Sequence, residues 1–245
     1  MKPGRVRILN IAVDDVTMDE AVARLMELAT SGSFHHVVTV NPEFIMTARQ
    51  DAAFAAVLNA ADLAVPDGIG LIWASRLRGR PLRERVAGVD LVERTAAGAA
   101  QLGLRLYLLG ARPGVADEAA ARLIERYPGL TIAGAYAGSP LPVEEDTIIA
   151  RIQQASPHIL FVAYGAPQQD LWIHRNRQRL GVGVAMGVGG AFDFISGRSR
   201  RAPRSVQRLG LEWLYRLYHE PWRWRRMLAL PRFAWAVLRE PAERG

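Results

Sequence analysis

Hydroxyls, amides, carboxylates and arginines recur in this chain where short β-rich runs stop, and that placement sets the chemistry open to it. Thr39-Val-Asn41-Pro-Glu43 brings out a hydroxyl, an amide and a carboxylate together. Thr39 and Asn41 can hold a sugar or a phosphate, and Asn41 can equally cap a helix that starts at Pro42. Ala64-Val-Pro66-Asp67-Gly68-Ile-Gly70 puts a carboxylate in a tight glycine turn, as a general base or as a turn residue that caps the next helix. Arg85, in Arg85-Val-Ala-Gly-Val-Asp90, follows an arginine-rich loop and either binds phosphate or stays solvated. Leu108-Leu-Gly110-Ala-Arg-Pro-Gly114 reads as strand, glycine turn and helix start, whose free backbone N–H groups suit a diphosphate. Its spacing matches neither the Walker loop nor the dinucleotide fingerprint. Gly187-Val-Gly-Gly-Ala-Phe-Asp193 fails that fingerprint too and fits close helix–strand packing. Tyr164-Gly165-Ala-Pro-Gln168-Gln169-Asp170 offers two amides and an acid, with Gln169 either binding hydroxyls or lying on the surface.

Other chemistries lack their residues. Without Cys there is no thiolate nucleophile, disulfide or Cys-based metal site. The five His (35, 36, 158, 174 and 219) show no metal-ligand spacing, no Asp-x-Asp occurs, and there is no Gly-x-Ser-x-Gly elbow. Displacement by a carboxylate base, with arginines as electrostatic clamps and no metal or other cofactor, stays open.

The elements that must position these residues follow from periodicity. Strands are expected at Val37–Val40, Leu63–Val65, Leu104–Leu109, Thr131–Ala135, Ile159–Tyr164 and Val182–Val188, each followed by a helical pattern. This alternation predicts an α/β fold: a Rossmann-like, mostly parallel sheet with helices on both faces, plus a helical C-terminal appendage. Ligands of such sheets collect at the carboxyl ends of the strands, where the polar residues above stand. Residues 138–142 read as a loop, and residues 196–204 as a hinge between a core at 1–197 and an appendage at 198–245.

The appendage holds most of the compositional bias. Residues 198–245 carry 12 Arg against Glu212, Glu220, Glu240 and Glu243, a local +8 in a chain of net charge +7, and four of the six Trp. Basic residues interleaved with tryptophans suit an anionic lipid surface, and also nucleic acid. Arg208, Glu212, Arg216 and Glu220 form an i,i+4 ladder, with Val206, Leu209, Trp213 and Leu217 as an apolar stripe, which predicts one amphipathic helix. A second helix is expected from Pro221, ended or kinked at Pro231. Trp213, Leu217, Trp224 and Leu228 can instead pack on the core or on another subunit of a homo-oligomer.

Thr39-x-Asn41, Pro66-Asp67-Gly68, Arg85-x-x-Gly88-x-Asp90, Gly165-x-Pro-x-Gln169, Gly187-Val-Gly-Gly-x-Phe-Asp193, Arg201-Ala-Pro and Gly210-Leu-Glu-Trp-x-x-Arg216 resemble, in this order, the WecG/TagA/CpsF glycosyltransferase family over about residues 8 to 230. The resemblance implies an inverting transfer from a UDP-sugar to a sugar on a polyprenyl diphosphate, in the synthesis of bacterial cell-surface polymers. It makes Asp67 the base, places Thr39, Asn41 and Gln169 on the sugars, and brings Arg216, Arg223 and Arg226 to the donor diphosphate. Arg85 and Asp193 take binding or structural positions, and Tyr136 a donor contact. Two departures stand out: Gln168 and Asp170 replace the family's Lys and Glu, and Ala135-Tyr136-Ala-Gly138-Ser-Pro replaces Gly-Tyr-Phe.

No apolar run of about 18 residues occurs, so any membrane contact is expected to be peripheral, and the resemblance implies a cytoplasmic protein on the inner face of the cell membrane. A nucleotide-binding oxidoreductase lacks its fingerprint and leaves the basic tail unexplained. A nucleic-acid-binding protein predicts salt-sensitive DNA or RNA binding and no UDP binding; the transferase reading expects no nucleic acid.

Overall fold

The computed structural model of the protein describes residues 4–208, 210–221 and 224–240; the side chains of Arg204, Arg208 and Arg216 lie outside that description. An antiparallel hairpin, β1 (Arg5–Ile8) and β2 (Ile11–Asp14), leads into α1 (Met18–Ala29). The core continues as β3 (His35–Val40), α2 (Pro42–Ala48), α3 (Ala52–Ala60), β4 (Leu63–Pro66), α4 (Ile69–Leu77) and α5 (Gly88–Leu102). Its second half is β5 (Arg105–Gly110), α6 (Val115–Arg126), β6 (Thr131–Tyr136), α7 (Pro142–Ala155), β7 (Ile159–Ala163), α8 (Gln168–Asn176), β8 (Val184–Gly187) and α9 (Ala191–Ile195). Strands β3 to β8 form one parallel sheet in the order β4-β3-β8-β7-β5-β6. All six strands expected from the sequence are present. The hairpin was not anticipated: β1 alternates exposed and buried over only four residues and β2 is buried throughout, so neither offers a run long enough to announce it.

Both faces of the sheet are buried, which is why its strands read as continuous apolar runs. One face packs α1, α5, α6 and α9; the other carries two clusters, one under α2, α3 and α4 and one under α7 and α8. Every crossover returns to the same edge, so the polar residues after β3, β4, β5, β6, β7 and β8 share the carboxyl end.

The tail runs as α10 (Arg204–Arg208), α11 (Glu212–His219), α12 (Trp224–Met227) and α13 (Ala229–Arg239). This corrects the single amphipathic helix expected over residues 206–220. Gly210, at φ +73°, breaks it, and a Cβ there would stand 2.9 Å from Ile69 Cγ1, so the break is fixed by contact with α4. Glu212 pairs with Arg85 and Arg201, partners outside the tail helices. Pro231 neither ends nor kinks a helix: it is the third residue of α13, within the first turn, where a missing N–H leaves no helical bond unmade.

The last helix joins the core. Phe233 (4 % exposed) and Val237 enter the cluster of Val38, Val40, Ile45 and Leu71, and Arg78 pairs with Glu240. Of the residues that packing was expected to use, Trp213, Trp224 and Leu228 are exposed and Leu217 is half-buried; Trp235 is 58 % exposed. Phe233→Ala should therefore cost about 3–5 kcal/mol in urea unfolding, as a buried aromatic does, whereas Trp235→Ala should change stability by less than about 0.5 kcal/mol.

Candidate active site

The site is assembled by hydrogen bonds at the carboxyl ends of β3 and β4. Asp67 N–H donates to Val40 O at 2.7 Å, carrying the ladder one residue past β4. Val86 N–H donates to Pro66 O at 2.8 Å, which lays the Arg85 loop and the start of α5 against the same turn. The Asp67 carboxylate accepts from Gly88 N–H, at a helix whose first turn has no side-chain cap. Gly88 allows the close approach: a Cβ there would lie 3.2 Å from Asp67 Oδ2 and 3.3 Å from Thr39 Cγ2, tight enough that these side chains would have to shift.

Burial pushes the Asp67 carboxyl up to about 6, against the pull of Arg85, Gly88 N–H and Arg201; Glu212 adds to the upward shift. A carboxylate with this proton affinity is ionised at neutral pH yet takes a proton more readily than an exposed Asp, as a general base needs.

Asp67 lines a cavity of about 190 Å³ whose walls come from both parts of the chain. Asn41, Glu43, Arg85 and Gly88 belong to the core; Arg201, Glu212, Trp213 and Met227 belong to the tail. The volume is below the roughly 300–1,000 Å³ usual for small-molecule pockets, so a nucleotide sugar would extend beyond it.

The other expected site residues divide. Asn41 lines the cavity and also caps α2, its Oδ1 accepting from Phe44 N–H at 3.0 Å, so the two readings of it coexist. Thr39 is buried and donates to Gly187 O at 3.3 Å, tying β3 to β8. Arg85 pairs with Glu212 at 2.7 Å, and Arg226 with Glu43 at 2.8 Å. Arg216 stands on α11, and Arg223 lies outside the described residues. Gly165 takes φ +80° in the turn between β7 and α8, with open space where a Cβ would be.

Three further residues are placed against packing neighbours or at a distant edge, and Asp193 takes the structural reading open to it. Gln169 is 0 % exposed; its Oε1 accepts from Gly189 N–H at 2.9 Å, and a Cβ on Gly187 would collide with its amide. That contact holds the glycine turn after β8, while Nε2 has no partner among the described residues. Gly110 faces the Ala163 backbone, where a Cβ would come within 2.8 Å, so it serves strand packing. The helix start beyond it already carries Asp117 and Glu118, the latter clamped by Arg198 at 2.6 Å, so that end is not open to a diphosphate. Tyr136 ends β6, five strands from β4 and so roughly 24 Å across the sheet, with Arg151 stacked 4.6 Å over its ring. Asp193 pairs with Arg112 at 3.0 Å.

With this geometry, the comparison with known proteins is decisive: residues 6–245 match the family described as Glycosyl transferase WecG/TagA/CpsF family. The chain belongs to the WecG/TagA/CpsF glycosyltransferase family. It is similar to the N-acetylglucosaminyldiphosphoundecaprenol N-acetyl-beta-D-mannosaminyltransferase of Bacillus subtilis strain 168, 39 % identical over 83 % of this chain and 79 % of that one. Proteins of the same name from Bacillus spizizenii and Staphylococcus aureus MRSA252 are 41 % and 30 % identical, over 83 % and 96 % of this chain and 78 % and 92 % of theirs.

Sequence reasoning assigned no site role to Gly88, Arg201, Glu212 or Trp213 of this glycosyltransferase. Each sits in a motif that carries the resemblance, but its place at the cavity depends on the tail crossing the sheet edge.

The raised carboxyl has a stability consequence. Between about pH 4 and 6 the folded chain holds a proton on Asp67 that the unfolded chain has lost, so this residue's contribution falls as pH rises through that window. Asp67→Asn, which mimics the protonated acid, should raise unfolding free energy by about 2 kcal/mol at pH 8 and by little at pH 4, read from urea curves at both.

Proposed function

We propose that this glycosyltransferase moves an N-acetylmannosaminyl group from its UDP derivative onto the N-acetylglucosamine of a lipid-linked diphosphate, with inversion and without a metal. Asp67 is the base. In one displacement, the acceptor hydroxyl oxygen forms a bond to the anomeric carbon as the bond from that carbon to the diphosphate oxygen breaks. The hydroxyl proton passes to Asp67, and the electron pair leaves on UDP. The observation that carries this reading is the half-buried Asp67, raised to about 6 and set in a cavity with two arginines.

Negative charge grows on the departing diphosphate, so cations fixed beforehand lower the barrier. Arg85 and Arg201 stand at the cavity; Arg216, Arg223 and Arg226 come from the tail. Asn41 and Trp213 supply an amide and an aromatic surface for the sugars. Donor and acceptor identity come from the printed names of the relatives, 30–41 % identical to this chain.

The acceptor's lipid puts the reaction at a membrane surface. Among the described residues no helix is long and apolar enough to cross a bilayer. Exposed Trp213, Leu214, Trp224, Trp235 and Leu238, interleaved with Arg225, Arg232 and Arg239, support peripheral attachment of the tail to anionic lipid on the inner face of the membrane.

Purified protein in anionic vesicles with N-acetylglucosaminyl-diphosphoundecaprenol should release UDP from UDP-N-acetylmannosamine faster than from other UDP-sugars, only when acceptor is present, and equally well in EDTA. Asp67→Asn should lower that rate by about 10²–10⁴-fold. In the wild type the rate should climb with pH to a plateau above about 6, because the ionised carboxylate is the active form. Acceptor-independent release, or full activity in the variant, would contradict the assignment.

A further inference from the structure

Charged side chains from the core, the hinge and the tail meet where the tail crosses the cavity. Glu212, the first residue of α11, accepts from Arg85 Nη2 through Oε2 at 2.7 Å and from Arg201 Nε through Oε1 at 3.4 Å. Arg201 donates on its other side to Asp90, with Nη2–Oδ2 at 2.7 Å. The Glu212, Arg85 and Arg201 side chains are only 18 %, 19 % and 23 % exposed, so water and salt screen these pairs less than pairs on an open surface. Gly210, two residues earlier, fixes the approach by lying against Ile69. A single tail carboxylate thus bridges one guanidinium of the core and one of the hinge, beside Asp67.

We propose that Glu212 is a positioning residue of the transfer reaction, fastening the tail across the cavity and holding Arg85 and Arg201 at their stations beside the base. The proposal rests on the reading of Asp67 as that base. Glu212 touches neither substrate nor reacting atoms in this role; it acts through the two arginines.

The charges around Asp67 make the role measurable. Arg85 from the loop before α5, Gly88 N–H from α5 and Arg201 from the segment before α10 draw its proton affinity down, and Glu212 from α11 raises it. Glu43 of α2, paired with Arg226 of α12, lines the same cavity. Removing the Glu212 charge leaves Arg85 without that carboxylate and Arg201 held by Asp90 alone, so the positive charge near Asp67 rises and the tail is untied. Asp90 restrains Arg201 from the far side and is not among the main groups acting on Asp67, so its loss loosens the tail with a smaller effect on that carboxylate than loss of Glu212.

The experiment compares the full-length wild type with Glu212→Gln, Glu212→Asp and Asp90→Asn in the vesicle assay from pH 5 to 9, with limited proteolysis of residues 197–204. Glu212→Gln should lower kcat about tenfold or more, with little change in KM for the donor. It should also move the acid limb of the pH profile down by roughly half a unit and speed cleavage of the hinge. Asp90→Asn should lower kcat and move the acid limb less than Glu212→Gln does. Should Glu212→Gln fail to fold, Glu212→Asp carries the test: its carboxylate is too short to span both arginines, so faster cleavage and lower kcat are expected, with the acid limb kept. A wild type that transfers while Glu212→Gln or Glu212→Asp matches it in kcat and cleavage overturns this inference alone. So does an equal acid-limb shift in Asp90→Asn, because loosening of the tail would then explain everything. A wild type that transfers nothing overturns the functional reading and this inference with it.

Discussion

A carboxylate kept half out of water at the end of a parallel strand is the constraint around which this protein is arranged. Asp67 follows β4 directly, and its backbone N–H completes a bond to the end of β3. Ionised, it costs free energy there, and the structure offsets part of that cost with Gly88 N–H and two guanidinium groups. The small cavity, the glycine at the start of α5 and the charged bridge to the tail each follow from keeping that group buried, accessible and surrounded by donors.

The tail is bound to the core by two kinds of force at two places. At α13, Phe233 and Val237 enter the same apolar cluster as residues of β3 and α4, contacts that are insensitive to salt. Over the cavity, α11 is held by half-buried ion pairs and by one glycine–isoleucine contact, with Trp213 and Leu214 left exposed. The hydrophobic anchor thus lies at one end of the tail and the charged fastening at the site, with Trp213, Trp224 and Trp235 exposed between and beside them.

The sheet was legible in the sequence because strands buried on both faces must be apolar throughout, and each of the six runs is followed by small and polar residues that end it. Asp67 and Asn41 were legible for a related reason: a polar residue immediately after such a run emerges at the carboxyl edge whatever the rest of the fold does. Arg85 was legible only as part of its motif after the arginine-rich loop. Gln169, Gly110 and Tyr136 satisfied the same rule yet serve packing or a distant edge. Whether a strand-end side chain turns outward, and which edge it stands on, depends on neighbours remote in sequence: Gly189 for Gln169, Ala163 for Gly110, and the strand order for Tyr136.

The sequence by itself determined the α/β architecture, the family and the carboxylate at its centre, since these rest on local periodicity and on motifs a few residues long. Only the tertiary structure decided that Glu212 pairs with Arg85 and Arg201, that α13 buries Phe233 in the core, and that hinge and tail close the cavity. Those outcomes turn on contacts between residues about 10 to nearly 200 positions apart, and the strongest available partner for a charge or an aromatic ring is set by where the folded chain brings its neighbours.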